Sequence, residues 1–292
     1  PRENHSQLLL EQEKERTDFY AAQCGGIRFD YDLLAGSVTV YSGSSLVPLG
    51  TPLYGANAKA YAGTSVAAGK LNDDGIAIII GAPNDSVDAV KSSGSVKAYL
   101  LANPADPFFT KSGTKKSQFG KAVAVGFVNT DTSADVLVGA PLDDDLRGIK
   151  PKKDTGSVTV FSGSNGVELI KQYGVNTKAQ LGYSVAASDV NGDSQADIIA
   201  GAWKDNKPTT NPKKPIKMVG SVAVFSGDGY AQIGETKYGD VAKDYFGFAV
   251  SAGDINSDGK ADIIIGIPNF DDPANKKLKD IGSVKIINAA GL

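Results

Sequence analysis

A Gly-Ser-Val triplet that opens a short, strand-like run returns five times in this chain. It stands at Gly36 (GSVTVYSG), Gly94 (GSVKAYL), Gly156 (GSVTVFSG), Gly220 (GSVAVFSG) and Gly282 (GSVKIINA), with spacings of 58, 62, 64 and 62 residues. A second pattern falls once in each interval, over residues 61–83, 119–141, 181–203 and 246–268. Self-similarity at a fixed period near 60 points to a solenoid or a propeller rather than to two unrelated domains. Each repeat holds three or four strand-sized apolar runs and no helical periodicity, which favours a ring of small antiparallel sheets.

Every repeat reads alike. Strand A is an apolar-Gly pair followed by Ala or Ser and Val. A loop leads to strand B, for example 261–266 (ADIIIG). A polar loop of about a dozen residues precedes the Gly-Ser-Val strand C. Strand D ends near a Tyr-Gly pair, as at Tyr54-Gly55, Tyr173-Gly174 and Tyr238-Gly239. The unbroken apolar runs of strand B predict burial on both faces, as where neighbouring blades sandwich each sheet. Gly120, Ala122, Gly182 and Gly247 are small enough to let sheets approach near a narrow axis.

Composition narrows the function classes. Hydrophobic residues make up 41% of 292, enough for a sizeable core, and 34 glycines suit a turn-rich β protein. A net charge of −3 sets up no field that calls for nucleic acid. No apolar run approaches the ~20 residues of a membrane-spanning helix, so no membrane insertion is expected. The single cysteine, Cys24, reads as a small buried hydrophobe. One histidine, His5, and one cysteine leave no zinc cluster and no nucleophilic triad, so the chain is read as a non-enzyme. The sequence starts at Pro1 without a signal-peptide pattern, which reads as a trimmed form.

The Phe-Gly openings (Phe119-Gly120, Phe246-Gly247) and the Gly-Ala-Pro closings (Gly81, Gly139; GAW at Gly201, GIP at Gly266) resemble FG-GAP repeats, the blades of integrin α-subunit propellers. The likeness covers roughly 36–292. It implies an all-β chain: a β-propeller of four-stranded blades, extracellular or at the cell surface. Integrin propellers have seven blades, more than this length holds. Four full intervals plus 46 leftover residues suggest about five. Residues 1–35 then form an N-terminal arm and degenerate blade strands (18–23 and 27–32), and 36–292 the repeats of a single domain. The last repeat lacks a strand D. A strand near 7–11 is expected to supply it, closing the ring by pairing N- and C-terminal strands. A larger ring completed by another chain is the rival.

The A–B loops are rich in oxygen. In the fourth repeat Asp254, Asn256 and Asp258 occupy positions 1, 3 and 5, Lys260 offers a backbone carbonyl at 7, and Asp262 sits at 9. The third repeats this with Asp189, Asn191, Asp193, Gln195 and Asp197. Ca²⁺ takes six to eight oxygens at about 2.4 Å, which alternate residues of a tight loop can supply, whereas Mg²⁺ resists such an all-protein cage. Gly192 and Gly259 allow the sharp turn. In the resembling family these loops bind Ca²⁺, so two Ca²⁺ sites are expected. The second loop has Phe127 at position 1 and keeps Asn129, Asp131, Ser133 and Asp135, a weaker third site. The first is one residue shorter, with Asn72 and Asp74, and has Lys70 at position 1, where an ammonium takes the cation's place and no metal is expected.

The B–C and D–A loops should share the opposite rim. Lysines gather there: Lys150, Lys152 and Lys153; Lys213, Lys214 and Lys217; Lys276, Lys277 and Lys279; with Lys111, Lys115 and Lys116 from the D–A segment. Trp203, Phe270, Phe108 and Phe109 are expected beside them. The partner-binding candidates are Lys152, Lys153, Trp203, Lys213, Lys214, Phe270, Lys276 and Lys277, for a protein or an acidic glycan. The bland alternative is a solvated rim diluted by Asp143, Asp144, Asp145, Asp271 and Asp272. The chain is therefore read as a Ca²⁺-stabilised extracellular binding module for adhesion or surface assembly. The alternatives are a self-assembling filament or coat subunit, or the accessory propeller of a larger secreted enzyme.

Overall fold

The computed structural model describes residues 35–72, 75–272 and 279–288. β1 (Ser37–Val38) and β2 (Leu53–Tyr54) pair as a two-stranded ladder. Three four-stranded antiparallel sheets follow in chain order. The first is β3 (Ser65–Asn72), β4 (Gly75–Ala82), β5 (Ser95–Leu100) and β6 (Phe109–Ser112). The second is β7 (Ala122–Gly126), β8 (Asp135–Ala140), β9 (Ser157–Phe161) and β10 (Glu168–Tyr173). The third is β11 (Ser184–Ser188), β12 (Asp197–Ala202), β13 (Ser221–Phe225) and β14 (Lys237–Tyr238). The last has three strands, β15 (Ala249–Gly253), β16 (Asp262–Ile267) and β17 (Ser283–Ile287). No helix is present among the described residues. Strands A to D of each repeat thus form one blade, and the fourth shows strands A to C among the described residues.

Register is the same in each blade. Ser65 faces Gly81, Ala122 faces Gly139, Ser184 faces Gly201 and Ala249 faces Gly266. The inner strands lie side by side, β3 on β7, β7 on β11 and β11 on β15. The two halves of the repeat signature meet across blade boundaries: Gly94 bridges Phe119, Gly156 bridges Leu181 and Gly220 bridges Phe246, all in parallel. That is the physical reason for the two motifs keeping step along the chain.

The core is a stack of layers between blades. β8 and β12 are buried along their whole length because alternate residues face opposite neighbours. Val136 and Val138 pack with Ile79 and Val96 of the first blade, while Leu137 packs with Ile198 of the third. Ile199 in turn packs with Ile263, Ile265 and Phe246 of the fourth. Each such side chain contributes about 1.5–3 kcal/mol on burial. Close approach needs glycine: a Cβ on Gly139 would lie 1.9 Å from the Gly182 carbonyl oxygen, with equivalent contacts at Gly81 and Gly201. The β1–β2 ladder covers the outer face of the first blade through Val38, which packs with Ala62, Ile80 and Tyr99. No closed ring is seen among the described residues. The expected closing strands (7–11, 18–23 and 27–32), with His5 and Cys24, lie outside them.

One rim expectation fails. Phe109 opens β6 at the end of the blade that carries the A–B loops, and it is buried in the core with Phe108 packed against it. Lys111 belongs to the same strand, with its ammonium over the Phe109 and Phe161 rings at 5.9 and 5.7 Å. A strand-D start lies at the opposite end of the blade from the D–A loop, which the linear sequence does not mark.

Candidate metal centre and the opposite rim

The third and fourth A–B loops are built alike. Asp189 accepts the backbone N–H groups of Gly192 (2.6 Å), Asp193 (3.2 Å) and Ser194 (2.7 Å). Asn191 accepts from Asp193 N (2.8 Å), and Asp193 from Gln195 N (2.8 Å). In the fourth, Asp254 accepts from Asp258 N (3.2 Å) and Gly259 N (2.9 Å), Asn256 from Asp258 N (2.8 Å), and Asp258 from Lys260 N (2.9 Å). Gly192 and Gly259 take φ of 86° and 84°, where a side chain would be strained. Positions 1, 3 and 5 therefore turn their oxygens over the loop backbone, and position 7 gives its N–H to position 5.

Position 9 does a second job. Asp197 accepts from Val190 N (2.9 Å), Asn191 N (3.2 Å) and Gly227 N (3.1 Å), tying the A–B loop to the turn after strand C. Asp135 does the same with Val128, Asn129 and Gly163. Burial lifts Asp197 above the usual carboxylate range and Asp135 to about 6, against the pull of those N–H groups; a neighbouring carboxylate adds to the lift in each case. In the fourth loop Asp262 accepts from Ile255 N (3.2 Å), but its buried Oδ1 has no partner among the described residues. An orphaned carboxylate oxygen beneath a loop of oxygens fits a hard cation. Among the described residues no three His, Cys, Asp or Glu side chains converge as a metal group. A cation here would draw on Asn and backbone oxygens besides the carboxylates.

The loops are also chained to one another. Ala134 N donates to the Lys70 carbonyl (2.9 Å), Ala196 N to that of Phe127 (2.7 Å) and Ala261 N to that of Asp189 (2.7 Å). Position 1 thus keeps its backbone role in all three copies, whatever its side chain. In the first copy β3 runs on to Asn72, which pairs with Gly75. Asp74 lies outside the described residues.

At the opposite rim a buried Asp opens three B–C loops. Asp85 accepts from Ser95 Oγ (2.6 Å) and Asn57 Nδ2 (2.5 Å). Asp143 accepts from Ser157 Oγ (2.9 Å) and Thr114 Oγ1 (2.7 Å), and Asp205 from Ser221 Oγ (2.8 Å) and Asn176 Nδ2 (2.8 Å). The serine of the Gly-Ser-Val triplet is a latch between loop and strand C. Asp143 also pairs with Lys171 at 2.6 Å.

Several rim lysines are consumed locally. Lys153 pairs with Asp144, Lys279 with Asp271, and Lys152 donates to the Val175 carbonyl at 2.9 Å. Lys213 and Lys214 are exposed, and Lys276 and Lys277 lie outside the described residues. Phe270 is half-buried against the core between the third and fourth blades. Trp203 is brought together with Tyr183, Tyr245 and Phe248, ring centroids 5.0, 4.9 and 5.6 Å away. Sequence reading missed Tyr183, Tyr245, Phe248 and Lys121. For Lys121, Tyr183 and Phe248 the signal was the variable residue after the apolar-Gly pair, held by Thr64 in the first repeat, which strand A places toward the axis; Tyr245 precedes the pair and carried no such signal.

These sheets, registers and loops define a repeat chain of propeller-type blades. The FG-GAP repeat family model matches residues 181–202 and 246–287, the third and fourth copies. Integrin alpha pat-2 of Caenorhabditis elegans is 30% identical over 194 residues, 60% of this chain and 15% of that protein. Integrin alpha-5 of Xenopus laevis is 32% identical over 160 residues, 52% of this chain and 14% of its own length. A bovine phosphatidylinositol-glycan-specific phospholipase D is 38% identical over 90 residues, 29% of this chain and 10% of the enzyme. The third and fourth blades thus match the FG-GAP repeat, and part of the chain is similar to integrin α subunits. The chain spans about one-seventh of the length of the integrins it matches. Among solved structures, a rhamnogalacturonan lyase of Bacillus licheniformis overlays with a TM-score of 0.44 at 14% identity, covering 78% of this chain and 47% of the lyase. That overlay is too loose to bear on ligand or reaction.

Proposed function

We propose that this chain is a Ca²⁺-stabilised, extracellular, adhesion-type propeller that binds a partner through the rim opposite its metal loops, without catalysis of its own. The observation that carries the reading is the pair of third and fourth A–B loops. In both, the Asp at position 1 accepts the N–H groups of positions 5 and 6, the Asn at 3 that of 5, and the Asp at 5 that of 7, and the fourth also holds Asp262 Oδ1, without a partner among the described residues. Asp189, Asn191, Asp193, Gln195 and Asp197 would hold one ion, and Asp254, Asn256, Asp258, Lys260 and Asp262 the other. Asn129, Asp131, Ser133 and Asp135 would hold a third only weakly, since Phe127 removes the first carboxylate. Bound Ca²⁺ supplies positive charge that offsets carboxylate crowding and pins each hairpin. The similarity to integrins supports the extracellular setting and a protein partner.

A five-bladed ring belongs to this reading. β1 and β2 have the positions of strands C and D in a fifth blade, and the face of β15–β17 is where its inner strands, expected over 18–23 and 27–32, would pack. Calorimetric Ca²⁺ titration with parallel melts tests the metal. Uptake near two ions and a melting rise abolished in Asp193→Ala plus Asp258→Ala are expected. Absence of uptake ends the reading. A second reading, an accessory propeller beside a catalytic domain, is favoured by the phospholipase D match, and a catalytic domain elsewhere in the longer polypeptide would decide for it.

A further inference from the structure

The four inner strands border an open axial cavity of about 480 Å³, lined by the same stretch of every repeat: residues 63–66, 121–123, 183–185 and 248–250. The size suits a sugar or a drug-sized molecule. Among the described residues no carboxylate lines it, and Lys121 is the one charged residue of the lining. Its ammonium is half-buried, 5.1 Å from the Tyr183 ring centroid, and has no ion pair among the described residues. Burial holds its pKa below the usual lysine value, as for a charge stripped of water without a counter-charge. Tyr183 and Phe248 stand beside it with centroids 5.0 Å apart. Trp203 backs both rings and is oriented by a 2.8 Å bond from Nε1 to Gln180 Oε1. Lys204, likewise without a carboxylate partner, lies 4.3 Å from the Trp203 centroid. The hydroxyls of Thr64, Ser65 and Ser184 are engaged with the Tyr61, Gly120 and Gly247 carbonyls. The mouth therefore offers aromatic surface and one uncompensated positive charge.

We infer that this axial mouth binds a carboxylate-bearing saccharide, with Lys121 as counter-ion to a uronate and Tyr183 and Phe248 against the sugar ring. The inference rests on the binding-module reading and names its ligand chemistry. A lone Asp or Glu side chain would meet the charge but leave most of the cavity empty. A uronic acid presents apolar C–H faces and an edge carboxylate together, which fills the volume and satisfies the ammonium.

Trp203 is the chain's one tryptophan, so its emission reports on this mouth. The whole chain, in Ca²⁺, is titrated with a glucuronate-containing tetrasaccharide, a neutral glucose tetrasaccharide and a Glu-rich peptide. A saturable emission change with the uronate ligand alone is expected. Lys121→Met should weaken it about ten-fold or more, Lys121→Arg should retain it, and both should melt near wild type. Should Lys121→Met not fold, Phe248→Leu, at a more exposed position, serves, with weakening of several-fold expected. No response to the uronate ligand, an equal response to the neutral one, or indifference to these variants overturns the assignment. A peptide-only response that Lys121→Met abolishes moves the mouth to an acidic protein partner and equally ends the saccharide. Failure here with Ca²⁺ stabilisation intact leaves the propeller reading standing, whereas loss of the Ca²⁺ effect with sugar binding intact removes only the metal.

Discussion

The third and fourth blades carry nearly the same signature yet sit in different surroundings. In the third, β12 is buried from Asp197 to Ala202, and Val222 of its Gly-Ser-Val triplet is 1% exposed. In the fourth, the matching Val284 is 65% exposed, and Ile286 stands out beside it. A Cβ on Gly201 would lie 2.1 Å from the Gly247 carbonyl oxygen, while one on Gly266 meets nothing closer than its own blade's Ala249 Cβ at 3.3 Å. The signature is written for a blade with neighbours on both sides. The fourth blade carries it on a face that no described residue covers, and its apolar positions are exposed there.

That contrast can be broken or sharpened by experiment. The largest effect is expected from lysine at the triplet valine. Val222→Lys buries an unpaired charge and should cost more than about 4 kcal/mol, read as loss of the cooperative urea transition. Under the five-bladed reading Val284→Lys should cost nearly as much. A cost within about 0.5 kcal/mol would leave the face open and end the closure.

Next comes the glycine pair. Gly201→Ala forces two backbones apart and should lower stability by roughly 2–3 kcal/mol. If Gly266→Ala matches it in urea melts, the fourth blade has a tight neighbour in solution; a mild effect would leave the contrast as described.

Ca²⁺ should treat both blades alike, because the loops depend on their own hairpins. At a hundred-fold excess over Kd each site would add about 2.7 kcal/mol. Asp193→Ala and Asp258→Ala should each remove about half of the melting rise on adding Ca²⁺, and chelation should remove it all. Unequal halves would mean that the missing neighbour also weakens the fourth loop.

The smallest effect is that of pH. Asp135, raised to about 6 by burial, contributes stability that is complete below its unfolded value near 4 and is lost as pH rises through 6. In chelator, melts should therefore decline more steeply from pH 5 to 7.5 in wild type than in Asp135→Asn. Parallel declines would assign the dependence to other groups.

Much of the fold was legible because the physics is local and repeated. Strand B alternates against two neighbours, so its unbroken apolar run announces double burial, and the triplet serine announces strand C. The oxygen-bearing loop positions were legible too, since alternate residues of a tight loop turn the same way. The N–H anchoring by Asp135 and Asp197 was not, because Gly163 and Gly227 lie 28 and 30 residues away. The rim lysines could be read in one dimension either as a positive field or as a rim diluted by nearby Asp residues. In three dimensions Asp144 and Asp271 neutralise two of them.

The sequence by itself determined the blade's strand order and the oxygens of its A–B loop, both carried by a pattern that repeats along the chain. Only the tertiary structure decided what the blades make together. Lys121, Tyr183, Trp203 and Phe248 come from three repeats and meet because the inner strands lie side by side. The fate of Val284 likewise depends on what packs across from it, a contact that periodicity along the chain does not encode.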